Sequence, residues 1–132
     1  MNRVIKFRIW DEQEKTMPFV GFRLFGETTI FHLIDQYAFE TKGEKDTLLR
    51  YNDFKEMQFI GLLDKNGMEI YEGDLIVSTG KVLSPYIVEW KDFHGWRLRH
   101  PDNKNAIWLA DHVWKDAEVI GNIYENKNLL HD

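Results

Sequence analysis

The sequence contains no cysteine. That excludes a disulfide framework, a thiol nucleophile, an iron–sulfur cluster and a thiolate zinc site. Serine is nearly as scarce: Ser78 and Ser84 stand alone, neither in a Gly-x-Ser-x-Gly setting. Neither common phosphate loop, Gly-x-x-x-x-Gly-Lys or Gly-x-Gly-x-x-Gly, occurs. None of His32, His94, His100, His112 and His131 falls in the His-x-x-x-His spacing of a helical zinc site. Long apolar runs are also missing. The longest is about Phe59 to Leu63, far short of the roughly 20 residues of a membrane span. At the N-terminus, Arg3, Lys6, Arg8 and Asp11 interrupt any signal-peptide core, so a soluble, cytoplasmic protein without a membrane partner is expected. Positive charge is in deficit, with 17 Lys and Arg against 22 Asp and Glu and a net charge of −5. That disfavours broad contact with nucleic acid phosphates.

The 132 residues are enough for one domain, and residues 1–132 are expected to form a single compact one. Apolar residues make up 43% and aromatics 14%, a composition that favours strands around an aromatic-rich core. Apolar and polar residues alternate from Val4 to Trp10, predicting a strand with Ile5, Phe7 and Ile9 inward and Lys6 and Arg8 outward. After the polar turn at residues 11–15, Phe19 to Phe25 predicts its partner, with Val20, Phe22 and Leu24 on one face. Residues 28–56 give a weaker pattern. Ile30, Phe31, Leu33 and Ile34 suit a strand or a helical turn, residues 41–46 an exposed loop, and Asp46 or Thr47 a helix cap.

From Met57 the pattern sharpens. An apolar run leads into Asp64-Lys65-Asn66-Gly67, which predicts a hairpin turn closed by a left-handed glycine. Glu72-Gly73-Asp74 predicts another turn, and Leu75 to Ser78 a strand. Tyr86 to Lys91 and Trp96 to Arg99 predict a hairpin with Val88, Trp90, Trp96 and Leu98 facing in and Arg97 and Arg99 facing out. Ile107 to Leu109 suits a short strand or helical turn, and Glu118 to Tyr124 a last strand. Seven or eight short strands predict a mainly β fold: antiparallel strands, an N-terminal β-hairpin with a variable segment over residues 1–56, and a small SH3-like barrel over residues 57–132.

Three segments resemble the YopX family of phage and prophage proteins. They are Ile5-Lys6-Phe7-Arg8-Ile9-Trp10-Asp11, the block from Met57 through Gln58, Gly61, Asp64, Asn66, Gly67, Tyr71, Glu72 and Gly73 to Asp74, and Val119-Ile120-Gly121-Asn122-Ile123-Tyr124-Glu125-Asn126 followed by Leu129-Leu130. The sequence departs from the family pattern at Ile60, Leu63 and Lys127-Asn128. The resemblance implies a small, phage-encoded, mostly β protein of a bacterial host cell with no assigned biochemical activity, and it supplies no catalytic residues. The motif's glycines and Asx residues are those that turns require, so its expected role is structural.

Asp64, Glu69, Glu72 and Asp74 invite a metal reading. Placing Gly67 sixth in an EF-hand loop puts Leu62 first and Gly73 twelfth, which removes both essential ligands. His94 and His100 with Asp92 are the other weighed set, and loop histidines of this kind are more often solvated. No metal, cofactor or catalytic residue is therefore expected, and the protein is read as no enzyme. One basic and aromatic stretch stands out: Lys91, Phe93, His94, Arg97 and Arg99, beside Trp90 and Trp96. Such stretches grip single-stranded nucleic acid. Cross-strand pairing of Glu89 with Arg97 or Arg99 explains the same residues. The leading expectation is an accessory protein that binds a protein partner of unknown identity and self-associates; the alternative is a nucleic-acid-binding module using residues 90–99.

Overall fold

The structure, a computed structural model, describes residues 5–23, 36–37, 40, 53–78, 85–93, 95–100, 106–108 and 116–130. Among them are nine strands: β1 (Lys6–Asp11), β2 (Thr16–Arg23), β3 (Phe54–Leu63), β4 (Glu69–Tyr71), β5 (Asp74–Ser78), β6 (Tyr86–Lys91), β7 (Gly95–Arg99), β8 (Ala106–Trp108) and β9 (Ala117–Asn122). A short 3-10 helix follows at Lys127–Leu130. All the pairings between them described below are antiparallel, and the orders are β2-β1-β3-β4 and β8-β7-β6-β5-β9, one sheet curling into a half-barrel. The mainly β, antiparallel fold read from alternation is the fold observed. The expectations for Leu24, Phe25, Ile30 to Ile34, Thr47 and the loop over 41–46 lie outside the described residues.

The chain divides into two compact units, Asn2–Met57 and Gln58–Asp132, and β3 contributes to both. In the first, β1 and β2 form the expected hairpin, but their faces differ from the simple alternation. Phe7 pairs with Phe22 and Arg8 with Val20, so Gly21 is an extra residue in β2, at φ +74°. A bulge of this kind shifts the parity of the strand by one. Phe19 therefore packs against buried Ile9 and Phe54, and Val20 is 61% exposed. Just before β1, Ile5 is exposed; within the strand Arg8 is buried, with its Nη2 3.6 Å from Met57 Sδ. The turn after β1 is pinned by Asp11. Its fully buried carboxylate accepts the N–H groups of Gln13 (3.0 Å) and Glu14 (3.2 Å).

In the second unit, Ile60, Ile70, Ile76, Val88, Trp96, Leu98 and Ala117 form the core, with Leu62, Tyr86 and Val119 packed against it. These residues come from β3 through β7 and β9, so the core is assembled across strands distant in sequence. Ile107 falls in a strand, β8, resolving the strand-or-helix alternative there.

Candidate functional site

The motif residues form a hydrogen-bonded node. Leu63 pairs with Glu69, the Asp64 N–H donates to the Met68 carbonyl at 2.7 Å, and the Gly67 N–H to the Asp64 carbonyl at 3.0 Å. Gly67 takes φ +83°, as this turn requires. The buried Asp64 carboxylate accepts N–H groups from Asn66 (2.8 Å), Met68 (2.9 Å) and Val119 (3.0 Å). The third bond crosses to β9. With a Lys65 N–H to Ala117 carbonyl bond of 2.9 Å, it fastens the β3–β4 hairpin along the last strand. Burial works to raise the Asp64 pKa; the three backbone donors and nearby Lys65 outweigh it and hold the carboxyl below its ordinary value.

Gly61, at φ +94°, sits where β3 carries extra residues relative to β4. The Gln58 carbonyl accepts the Glu72 N–H at 2.9 Å. Tyr71 donates its N–H to the buried Asp74 carboxylate at 2.8 Å. Gly73, at φ +87°, donates to the Val88 carbonyl (2.8 Å) and accepts from Ile123 (2.9 Å). The Asn122 side chain accepts the N–H groups of Tyr124 and Glu125, and Asn126 Oδ1 accepts the Asn122 N–H. Gly121 stands against that Asn126 side chain: a Cβ would lie 2.3 Å from Oδ1. Among the described residues no group of three His, Asp or Glu side chains is placed to hold a metal ion.

The β6–β7 hairpin carries the other candidate residues. Val88 faces Leu98, Glu89 faces Arg97 and Trp90 faces Trp96. Glu89 binds both arginines: Arg99 Nε donates to Oε2 at 2.8 Å, and Arg97 donates to Oε1. Burial pushes the Glu89 pKa upward, but bonds from Arg99 and Arg97 and their charges outweigh it, so it lies below the usual glutamate value. Trp96 is buried as expected. Trp90, expected inward, is 49% exposed: it lies toward the hairpin tip, with its ring edge-on to Trp96 at 5.1 Å and its Nε1–H donating to Asp92 at 3.0 Å. Lys91 is exposed, and Phe93 is completely exposed at φ +70°. His94 lies outside the described residues; His100 packs edge-on against Tyr86 at 5.3 Å. The structure therefore joins Trp90, Lys91 and Phe93 at the tip and holds Arg97 and Arg99 to Glu89 on the strands. Sequence reasoning missed the exposure of Trp90; its closeness to the turn is the signal that could have found it.

Residues 6–131 match a family model described as YopX protein. The chain belongs to the YopX family. The match takes in both the motif node and the β6–β7 hairpin. No curated protein matches the sequence. Among solved structures, the chain is similar to the crystal structure of protein EF1440 from Enterococcus faecalis. That similarity has 23% identity and a TM-score of 0.59, over 98% of this chain and 100% of that one. At this identity the likeness speaks to the fold alone. No helix of the described residues is long and apolar enough to cross a membrane.

Proposed function

We propose that this YopX protein is a non-enzymatic, phage-encoded accessory protein of the host cytoplasm that acts by binding another protein through the tip of the β6–β7 hairpin. The observation that carries the reading is Phe93, fully exposed on a left-handed backbone next to half-exposed Trp90. A left-handed conformation is costly for a bulky residue, and such strain is retained where a site uses it. A Phe ring left in water forgoes about 1.5–3 kcal/mol of burial, which a partner covering it would recover. Tryptophan is enriched among interface hot spots, and half-exposed Trp90 supplies one beside Phe93.

Affinity capture from bacterial cells producing the protein tests this, with wild type beside a Phe93→Ser variant. Phe93 makes no core contact, so the variant should melt as wild type does. The expected result is a co-purifying protein that wild type retains and the variant loses. A variant retaining everything that wild type retains would sink the reading.

A further inference from the structure

Tyr37 organises a second surface, within the Asn2–Met57 unit. Its ring stands edge-on to Phe19 (5.6 Å) and to Phe54 (6.0 Å), and its hydroxyl donates to Asp11 Oδ2 at 3.1 Å. Beside it opens a cavity of about 280 Å³ lined by Pro18, Phe19, Gln36, Tyr37 and Glu40. Gln36 Nε2 donates to Glu40 Oε1 at 3.0 Å, which orders that carboxylate on the cavity wall. Among the described residues two aromatic rings and a proline thus meet one carboxylate. The surrounding field is negative as well: burial raises the Tyr37 pKa above 10.0, and the charges of Asp11 and Glu14 raise it further, against a bond with Thr16 that lowers it.

We propose that this cavity binds an arginine side chain presented by a protein partner. Its volume falls just below the roughly 300–1,000 Å³ of cofactor and drug sites, a size for one long side chain. Aromatic walls accept the methylene stem and the weakly hydrated face of a guanidinium, and Glu40 meets its charge. Arginine suits the site better than lysine because a planar guanidinium stacks on rings while a compact ammonium holds its water. Among the described residues β2 stands at the end of its strand order and carries the cavity's Pro18 and Phe19. Pro18 removes an N–H from that stretch, which leaves recognition to the side chain instead of strand addition.

The test is a titration of ¹⁵N-labelled protein with acetyl-Gly-Arg-Gly-amide, followed by NMR, beside the citrulline counterpart and tetramethylammonium. Saturable shifts at the amides of Phe19, Gln36, Tyr37 and Glu40 are expected, with citrulline and tetramethylammonium about five-fold weaker or worse. Glu40 is exposed, so Glu40→Gln should keep the fold and weaken the arginine peptide by about five-fold. Citrulline binding as tightly would remove the charge argument, and tetramethylammonium binding as tightly would replace a partner's side chain with a free cation. Unchanged affinity in Glu40→Gln, or no saturable shift at these amides, would overturn the proposal. Phe93→Ser should leave the titration unaltered, so this site and the hairpin tip stand or fall separately.

Discussion

Gly67 sits at φ +83° with nothing within 4 Å of where a Cβ would stand. Space is therefore no obstacle to a larger residue there, and the whole cost of a substitution is conformational. Gly67→Val should destabilise the protein by about 1–2 kcal/mol, because a β-branched residue resists the left-handed region. Gly67→Asn should cost clearly less, since Asn tolerates that region. Thermal melts of the two variants check this, and equal losses would show that the backbone angle is not what the position demands. Gly121 is the opposite case: its limit is the Asn126 side chain, not its backbone angle. The two glycines thus answer to different physical constraints.

At the scale of elements, Asp64 joins a hairpin to a distant strand through the Val119 N–H. Its pKa is lowered in the folded protein from an ordinary value of 3.8. A carboxylate with a depressed folded pKa contributes stability above its unfolded pKa, and the contribution is lost as pH falls through the folded one. Near pH 7, Asp64→Asn should cost about 1–3 kcal/mol, since an amide replaces a charged acceptor of three N–H groups. The gap between wild type and variant in urea unfolding should narrow as pH drops from 5 toward 2. A gap constant over that range would exclude the charge as the source. The turn itself was legible in Asp64-Lys65-Asn66-Gly67, because turn chemistry is local. The bond to β9 was not, since it joins residues 55 positions apart. For a like reason the facing of β2 is not legible in its apolar spacing. A single bulge residue at Gly21 reverses inward and outward, and alternation alone does not mark which glycine bulges. On β6 and β7, Val88, Trp96 and Leu98 followed the alternation, and Trp90 departed from it where the hairpin extends past the core. The Tyr37 cavity is not legible, for it draws on Gln36, Tyr37 and Glu40, in a stretch where the sequence has no clear period.

For the molecule as a whole, charge separates protein binding from nucleic acid binding. The net charge is −5, and the two arginines a nucleic acid groove would use, Arg97 and Arg99, are both held by Glu89. A phosphate chain would have to compete with that carboxylate and approach an acidic protein, while each contact it gained would weaken as salt rises. Lys91 remains exposed beside Trp90 and Phe93, so an aromatic platform for bases exists, but its flanking guanidinium groups are engaged within the hairpin. Labelled single-stranded DNA and RNA should therefore show no micromolar binding by fluorescence anisotropy at physiological salt. Glu89→Gln supplies the sharper arm. It releases two guanidinium groups and removes one negative charge, so any latent affinity for phosphate should strengthen in this variant and then fall steeply with added salt. Micromolar binding by wild type that disappears in the Arg97→Ala, Arg99→Ala double variant would transfer the hairpin from protein recognition to nucleic acid recognition.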